Sequence, residues 1–141
     1  FLYWHEALGF NYRMPALNAA FGVAQMARLD AMLEAKLRLS MAYQDAYSTA
    51  LFTAFFAGPD DCQANHWLNA IQLDQSLSQH RDAILHGLNE RGYGCRPVWN
   101  LLSELPHLRG CPSMSVDQAT DLANRLINIP SSAMLASDLL S

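Results

Sequence analysis

The chain has 141 residues, 51% of them hydrophobic and 16% charged, with 9 basic against 13 acidic side chains and a net charge of −4. One domain of this size buries about 68% of its unfolded surface, so disorder is excluded and no metal or disulfide is needed to hold a core. Charge well below the usual ~25% leaves few residues to cover an exterior, which points to surface that a partner covers.

No apolar run approaches the ~18 residues of a membrane span, and the strongest, Leu51 to Ala57, is interrupted by Thr53. A water-soluble chain without a membrane segment is expected. The arginines at 13, 28, 38, 81, 91, 96, 109 and 125 are scattered and make no basic patch, which excludes nucleic acid as the expected partner. Cys62, Cys95 and Cys111 are an odd number in a chain that needs no staples and fit a reducing cytoplasm. Phe1 opens the sequence with no basic stretch before an apolar one, so no signal peptide is expected, and the chain reads as a piece of something longer or one whose start has been removed.

Residues 1–14 form an aromatic segment with five aromatics in Phe1–Tyr12 and one carboxylate, Glu6. Such a stretch should not lie bare in water. Pro15 and the Ala-rich run after it predict one long helix over 15–48, uncharged until Arg28 and amphipathic beyond it through Leu29, Leu33 and Leu37. The turn cluster Gly58, Pro59, Asp60 and Asp61 follows. A small α+β region is expected over 62–130: a central strand in Asn65–Leu73, a helix with a Ser76/Gln79 capping box closed by Gly92, and an edge strand in Tyr93–Val98 marked by Pro97. Trp99–Pro112 reads as a loop, then a helix with a Ser115/Gln118 box, a strand in Leu126–Ile129 and a loose tail over 131–141. The fold class is α+β, a long N-terminal helix followed by a small three-stranded, mainly antiparallel sheet covered by helices, all in one domain over 1–141.

Few constellations carry chemistry. Cys62 and His66, with His107 and Cys111, have the residue types of a zinc site but at loose spacing, and no metal is expected. Arg96 beside Cys95 is the only cation next to a thiol, and a buried, inert Cys95 is the simpler reading. Asn11, Tyr12 and Arg13 stand directly before a helix N-terminus, where amide N–H groups and an Arg can hold a phosphate or carboxylate. The same residues equally suit a loop that caps itself.

The string GFNYRMPALNAAFGVAQMARLD resembles the segment that opens the C-terminal part of DegT/DnrJ-type nucleotide-sugar aminotransferases, and NHWLNAIQLD, RDAILHGLNERGYGCRPVW, LPHLRGCP and RLINIPSS follow in family order. The likeness runs over nearly all of residues 5 to 133. It implies the C-terminal domain of a fold-type I aminotransferase, an enzyme that uses pyridoxal phosphate to aminate sugars for surface polysaccharides. By position it implies that Asn11 reaches the cofactor phosphate of a neighbouring subunit and that Tyr12 and Arg13 line the same interface. Arg96 and Trp99 would lie near the nucleotide-sugar end of the pocket; without the resemblance they read as a surface ion pair and edge-strand packing.

Two departures stand against that pattern. The lysine that carries the cofactor should precede the GxNxRM motif, yet the single lysine, Lys36, follows it, and Leu101-Leu102-Ser103 stands where a PLH-like string is common. The chain alone is therefore expected to hold no cofactor and to catalyse nothing, a missing N-terminal pyridoxal phosphate domain supplying the rest. It is expected to self-associate through residues 1–27. The alternative is a small stand-alone oligomeric binding module derived from this domain.

Overall fold

The computed structural model describes residues 7–59 and 61–136; Phe1, Tyr3, Trp4, Asp60 and the end of the tail, 137–141, lie outside them. The chain divides into two compact units, Phe1–Ala31 and Met32–Ser141.

The first unit carries helix α1, Ala16–Met26. Pro15 is the residue before the helix rather than its first residue, with an extended ψ of 145° and no capping side chain. The single helix expected over 15–48 is in fact two, since α2 runs Leu29–Tyr47. Between them the amide of Ala27 still donates to Val23 (3.1 Å) while that of Arg28 donates to Gln25 (3.0 Å), a tightening to three-residue spacing that ends α1. Asp30 then sits in the first turn of α2, where its charge complements the helix dipole. Neither Gly nor Pro marks the break, so hydrophobic periodicity ran through it.

In the second unit the sheet has four strands, one more than expected: β1 Thr53–Phe55, β2 Asn69–Leu73, β3 Arg96–Pro97 and β4 Leu126–Ile129, in the order β1-β2-β4-β3. All pairs are antiparallel, with Phe55 opposite Ile71, Ile71 opposite Ile127 and Pro97 opposite Ile127. β1 was hidden in the apolar run after the helix because three residues show no alternation. Pro97 lies in an edge strand, where its missing N–H costs no ladder bond. The core gathers Ile71, Leu73, Cys95, Ile127 and Ile129, against which pack Tyr43 and Tyr47 of α2, Leu77, and Ile84, Leu85 and Leu88 of α3, Arg81–Glu90.

The helix signals resolve differently from the expected boxes. Asp74, not Ser76, caps the 3-10 turn Gln75–His80, its carboxylate accepting from the Ser76 amide (2.9 Å) and hydroxyl (2.6 Å). Helix α4, Asp117–Arg125, has no side-chain cap at Val116, while Ser115 donates to the Asp117 carboxylate at 2.7 Å. Gly92 does close α3, at φ +88°, a region that costs a side chain but not glycine. The expected loose tail is fixed over its described part: Ser131 Oγ accepts from the Asn69 amide (2.8 Å) and Ala136 is buried. Among the described residues no helix is long and apolar enough to cross a membrane.

Arg125 joins α4 to β2. It donates to both Asp121 carboxylate oxygens and to the Leu73 carbonyl (3.0 Å), and Gln72, with its amide oxygen turned inward, accepts from it at 2.8 Å. The Asp121 carboxyl is held below its ordinary pKa by the hydrogen bond from Arg125, and Asp74 below its own by the Ser76 hydroxyl. A lowered folded pKa stabilises above the unfolded value of about 4 and is lost as pH falls through the folded one. Asp121→Asn is expected to flatten the acid limb of stability, read as the urea midpoint between about pH 5 and pH 2; an unchanged limb would show that the pair does not couple to folding.

Candidate functional site

Two groups of expected site residues lie in different units. In the first, Asn11, Tyr12 and Arg13 are all exposed and precede the uncapped N-terminus of α1. Asn11 Oδ1 accepts from the Arg13 amide at 3.1 Å, closing a small turn that leaves the Asn11 side-chain NH2 without a partner among the described residues. Tyr12 packs its ring at 5.8 Å from Phe10. Arg13 enters no ion pair among the described residues. The result is a run of donors, amide, phenol and guanidinium, ahead of free helix amides. That combination suits a phosphate or carboxylate.

In the second unit, Arg96 is exposed on β3, its backbone paired with Asn128, whose side chain donates to the Pro97 carbonyl at 3.2 Å. Three residues on, Trp99 lies 5.9 Å from Trp67, ring centre to ring centre, with the planes at 39°. Trp67, expected within the strand Asn65–Leu73, stands in the turn before β2. Long-range pairing brings it to Trp99, and no local pattern signals such a contact.

Lys36 is also settled by long-range contacts. Its Nζ donates to the carbonyls of His66 (3.1 Å), Trp67 (3.2 Å) and Ser131 (2.7 Å). Three acceptors match the three N–H donors of the lysine head group, so none is left to meet a ligand. A structural clasp is what this geometry serves.

The other constellations place as follows. Burial pushes the Cys95 thiol up, away from the thiolate that nucleophilic chemistry needs, and Asn89 pins its backbone through both N–H and C=O at 3.0 Å. Cys62 and Cys111 are exposed free thiols. Among the described residues no three His, Cys, Asp or Glu side chains gather to hold a metal.

The model of the DegT/DnrJ/EryC1/StrS aminotransferase family matches residues 2–140. The GDP-perosamine synthase of Vibrio cholerae is 31% identical over 139 residues, covering 96% of this chain and 37% of that protein. The fold matches Helicobacter pylori PseC, an aminotransferase involved in the biosynthesis of pseudoaminic acid, with a TM-score of 0.82 at 15% identity over 96% of this chain and 39% of the other. It also matches DesI, solved in the presence of its TDP-sugar product, with a TM-score of 0.75 at 20% identity over 86% and 32%. The chain thus spans about a third of the length of these proteins, between 32% and 39%. It belongs to the DegT/DnrJ/EryC1/StrS aminotransferase family.

Proposed function

We propose that this chain is the C-terminal part of a nucleotide-sugar aminotransferase, inactive alone and completed by a domain that carries the cofactor-bearing lysine. The observation that carries this reading is the engagement of Lys36, the only lysine, by three backbone carbonyls. An amine that must attack a carbonyl needs its nitrogen free to approach it, and the Lys36 nitrogen is turned onto three backbone carbonyls instead.

Pyridoxal phosphate, when bound in such an enzyme, supplies the electron sink through which an amino group passes to a sugar ketone. The donors at Asn11, Tyr12 and Arg13 fit its phosphate; nothing among the described residues fits its carbonyl. These residues would therefore hold and orient the phosphate in a composite site, while Arg96 and Trp99 hold the nucleotide sugar. The GDP- and TDP-sugar chemistry of the relatives supports a nucleotide-linked hexose as substrate.

The test is complementation. The chain alone, dialysed after exposure to pyridoxal phosphate, is expected to show no cofactor absorbance near the visible edge. Produced with the N-terminal part of the Vibrio cholerae relative, it is expected to retain the cofactor and transaminate. A retained band in the chain alone would overturn the reading.

Self-association through residues 1–27 belongs to the same proposal. On α1, Leu17 is 80% and Phe21 67% exposed, with Val23 and Met26 also in water, an apolar helix that a second subunit or the missing domain would cover. Leu17→Glu with Phe21→Glu is expected to shift the chain to monomer in sedimentation velocity; an unchanged mass would place the contact elsewhere. A homogeneous dimer that never complements would instead favour a stand-alone binding module.

A further inference from the structure

We propose that β1 is a pairing edge for a second copy of this chain, the two strands joining antiparallel across a two-fold axis at Ala54. Hydrogen-bond alternation leaves this edge open. The Phe52 carbonyl accepts from the Asp74 amide at 2.8 Å and the Phe56 amide donates to Ala70 at 2.9 Å, so Phe52, Ala54 and Phe56 turn their backbone groups toward β2. The N–H and C=O of Thr53 and Phe55 point the other way. On that side β1 has no neighbouring strand, and no turn or loop bond among the described residues reaches those groups.

The two edges of the sheet differ in how they are protected. At β3, Pro97 and the exposed Arg96 are the kinds of residue that keep a second strand away. β1 carries neither. From Ala46 to Pro59 no residue is charged, and Leu51–Ala57, LFTAFFA, holds no Gly or Pro. Thr53 and Phe55 lie opposite the buried Leu73 and Ile71 and share the core face, which leaves Phe52 and Phe56, 59% and 40% exposed, on the other face with Ala54. An uncharged apolar segment on an unprotected edge is a template for strand addition.

Self-complementarity selects a second copy as the occupant. Each copy carries a net charge of −4, so two copies meet best where neither has charge. When Thr53 of one copy stands opposite Phe55 of the other, both outward-facing residues of each strand are paired and Ala54 faces Ala54 across the axis. The same register sets Phe52 of each copy opposite Phe56 of the other. These are non-hydrogen-bonded positions, where side chains come closest and cross-strand aromatic pairs add to the ladder. A slip in either direction pairs Thr53 or Phe55 outside the strand and parts the phenylalanines. The assembly closes as a dimer, because both outer edges of the joined sheet are then β3. The seven residues Leu51–Ala57 are few beside the roughly 20 to 30 a side of a standard interface, so the contact is weak and depends on concentration.

Sedimentation velocity tests this in the Leu17→Glu, Phe21→Glu chain, whose α1 face carries two carboxylates and cannot supply the association. Monomer is expected at about 10 µM and a growing share of dimer toward about 1 mM. Ala54→Lys sets like charges opposite each other at the axis and is expected to weaken dimerisation about tenfold, as is Ala54→Glu. An equimolar mixture of the two is expected to restore it, because this register places position 54 opposite itself. Thr53→Pro removes an outward N–H without touching the bonds to β2 and is expected to weaken the dimer as well. Circular dichroism and the urea midpoint confirm folding; where Thr53→Pro moves the midpoint, the Ala54 variants, on the exposed face, carry the test. The proposal falls if the chain stays monomeric at about 1 mM, if the dimer survives Ala54→Lys, or if the mixture is as monomeric as its components. None of these results depends on complementation, so the edge and the aminotransferase reading stand or fall separately.

Discussion

Lys36→Met is expected to lower the stability of the Met32–Ser141 unit by about 3 kcal/mol, because it leaves three carbonyl oxygens without their charged donor at about 1 to 3 kcal/mol each before water recovers part of the loss. Methionine keeps the apolar stem and its packing, so the change isolates the ammonium. The three acceptors sit 30, 31 and 95 residues from Lys36 and belong to the turn before β2 and the segment after β4. Losing one side chain therefore unties α2 from two distant parts of the sheet at once. Lys36→Arg should recover only part of the loss, since a planar fork cannot converge on three carbonyls as a tetrahedral ammonium does. Urea unfolding followed by circular dichroism measures both. A loss under about 1 kcal/mol for Lys36→Met, the worth of one ordinary hydrogen bond, would mean that water replaces the clasp and that Lys36 is not what holds these segments.

The features legible in the sequence are the local ones. NHWLNAIQL reads as a central strand because apolar side chains occupy both of its faces, and β2 does lie between β1 and β4. Pro97 announces an edge and Gly92 a helix end for reasons internal to those residues. The donor run Asn11 to Arg13 is visible because three consecutive residues make it. β1 is different: Thr53–Phe55 is a strand only because β2 lies beside it, and three residues carry no period of their own. The break after Met26 has no chemical marker either. In the site, the Lys36 clasp and the Trp67–Trp99 pair depend on contacts across 95 and 32 positions, which composition and spacing do not encode. Asp74 displaced the Ser76 box because a carboxylate two residues before the Ser76 amide reaches both its N–H and its hydroxyl.

Ile127→Ala should cost the same unit about 3 to 4 kcal/mol, from lost transfer free energy plus the cavity left in a core that cannot collapse around it. Ile127 is fully buried, at 0% exposure, on the strand that pairs with both β2 and β3. Its cross-strand neighbours are Ile71 and Pro97, and the latter is fixed in its ring and cannot move in to fill space. Ile127→Val, which removes one methylene, should cost about 1 kcal/mol, and Phe55→Ala, half-buried on edge strand β1, less than Ile127→Ala. That order tests where the fold is held. If Phe55→Ala costs more than Ile127→Ala in urea unfolding, stability centres on β1 rather than β4. Because β3 pairs only with β4, and Asn69 at the start of β2 pairs with Ile129, the same strand supports Arg96 on one side and the approach to Trp67 on the other. Against a usual total of about 5 to 15 kcal/mol, Ile127→Ala together with Lys36→Met would leave little folded chain.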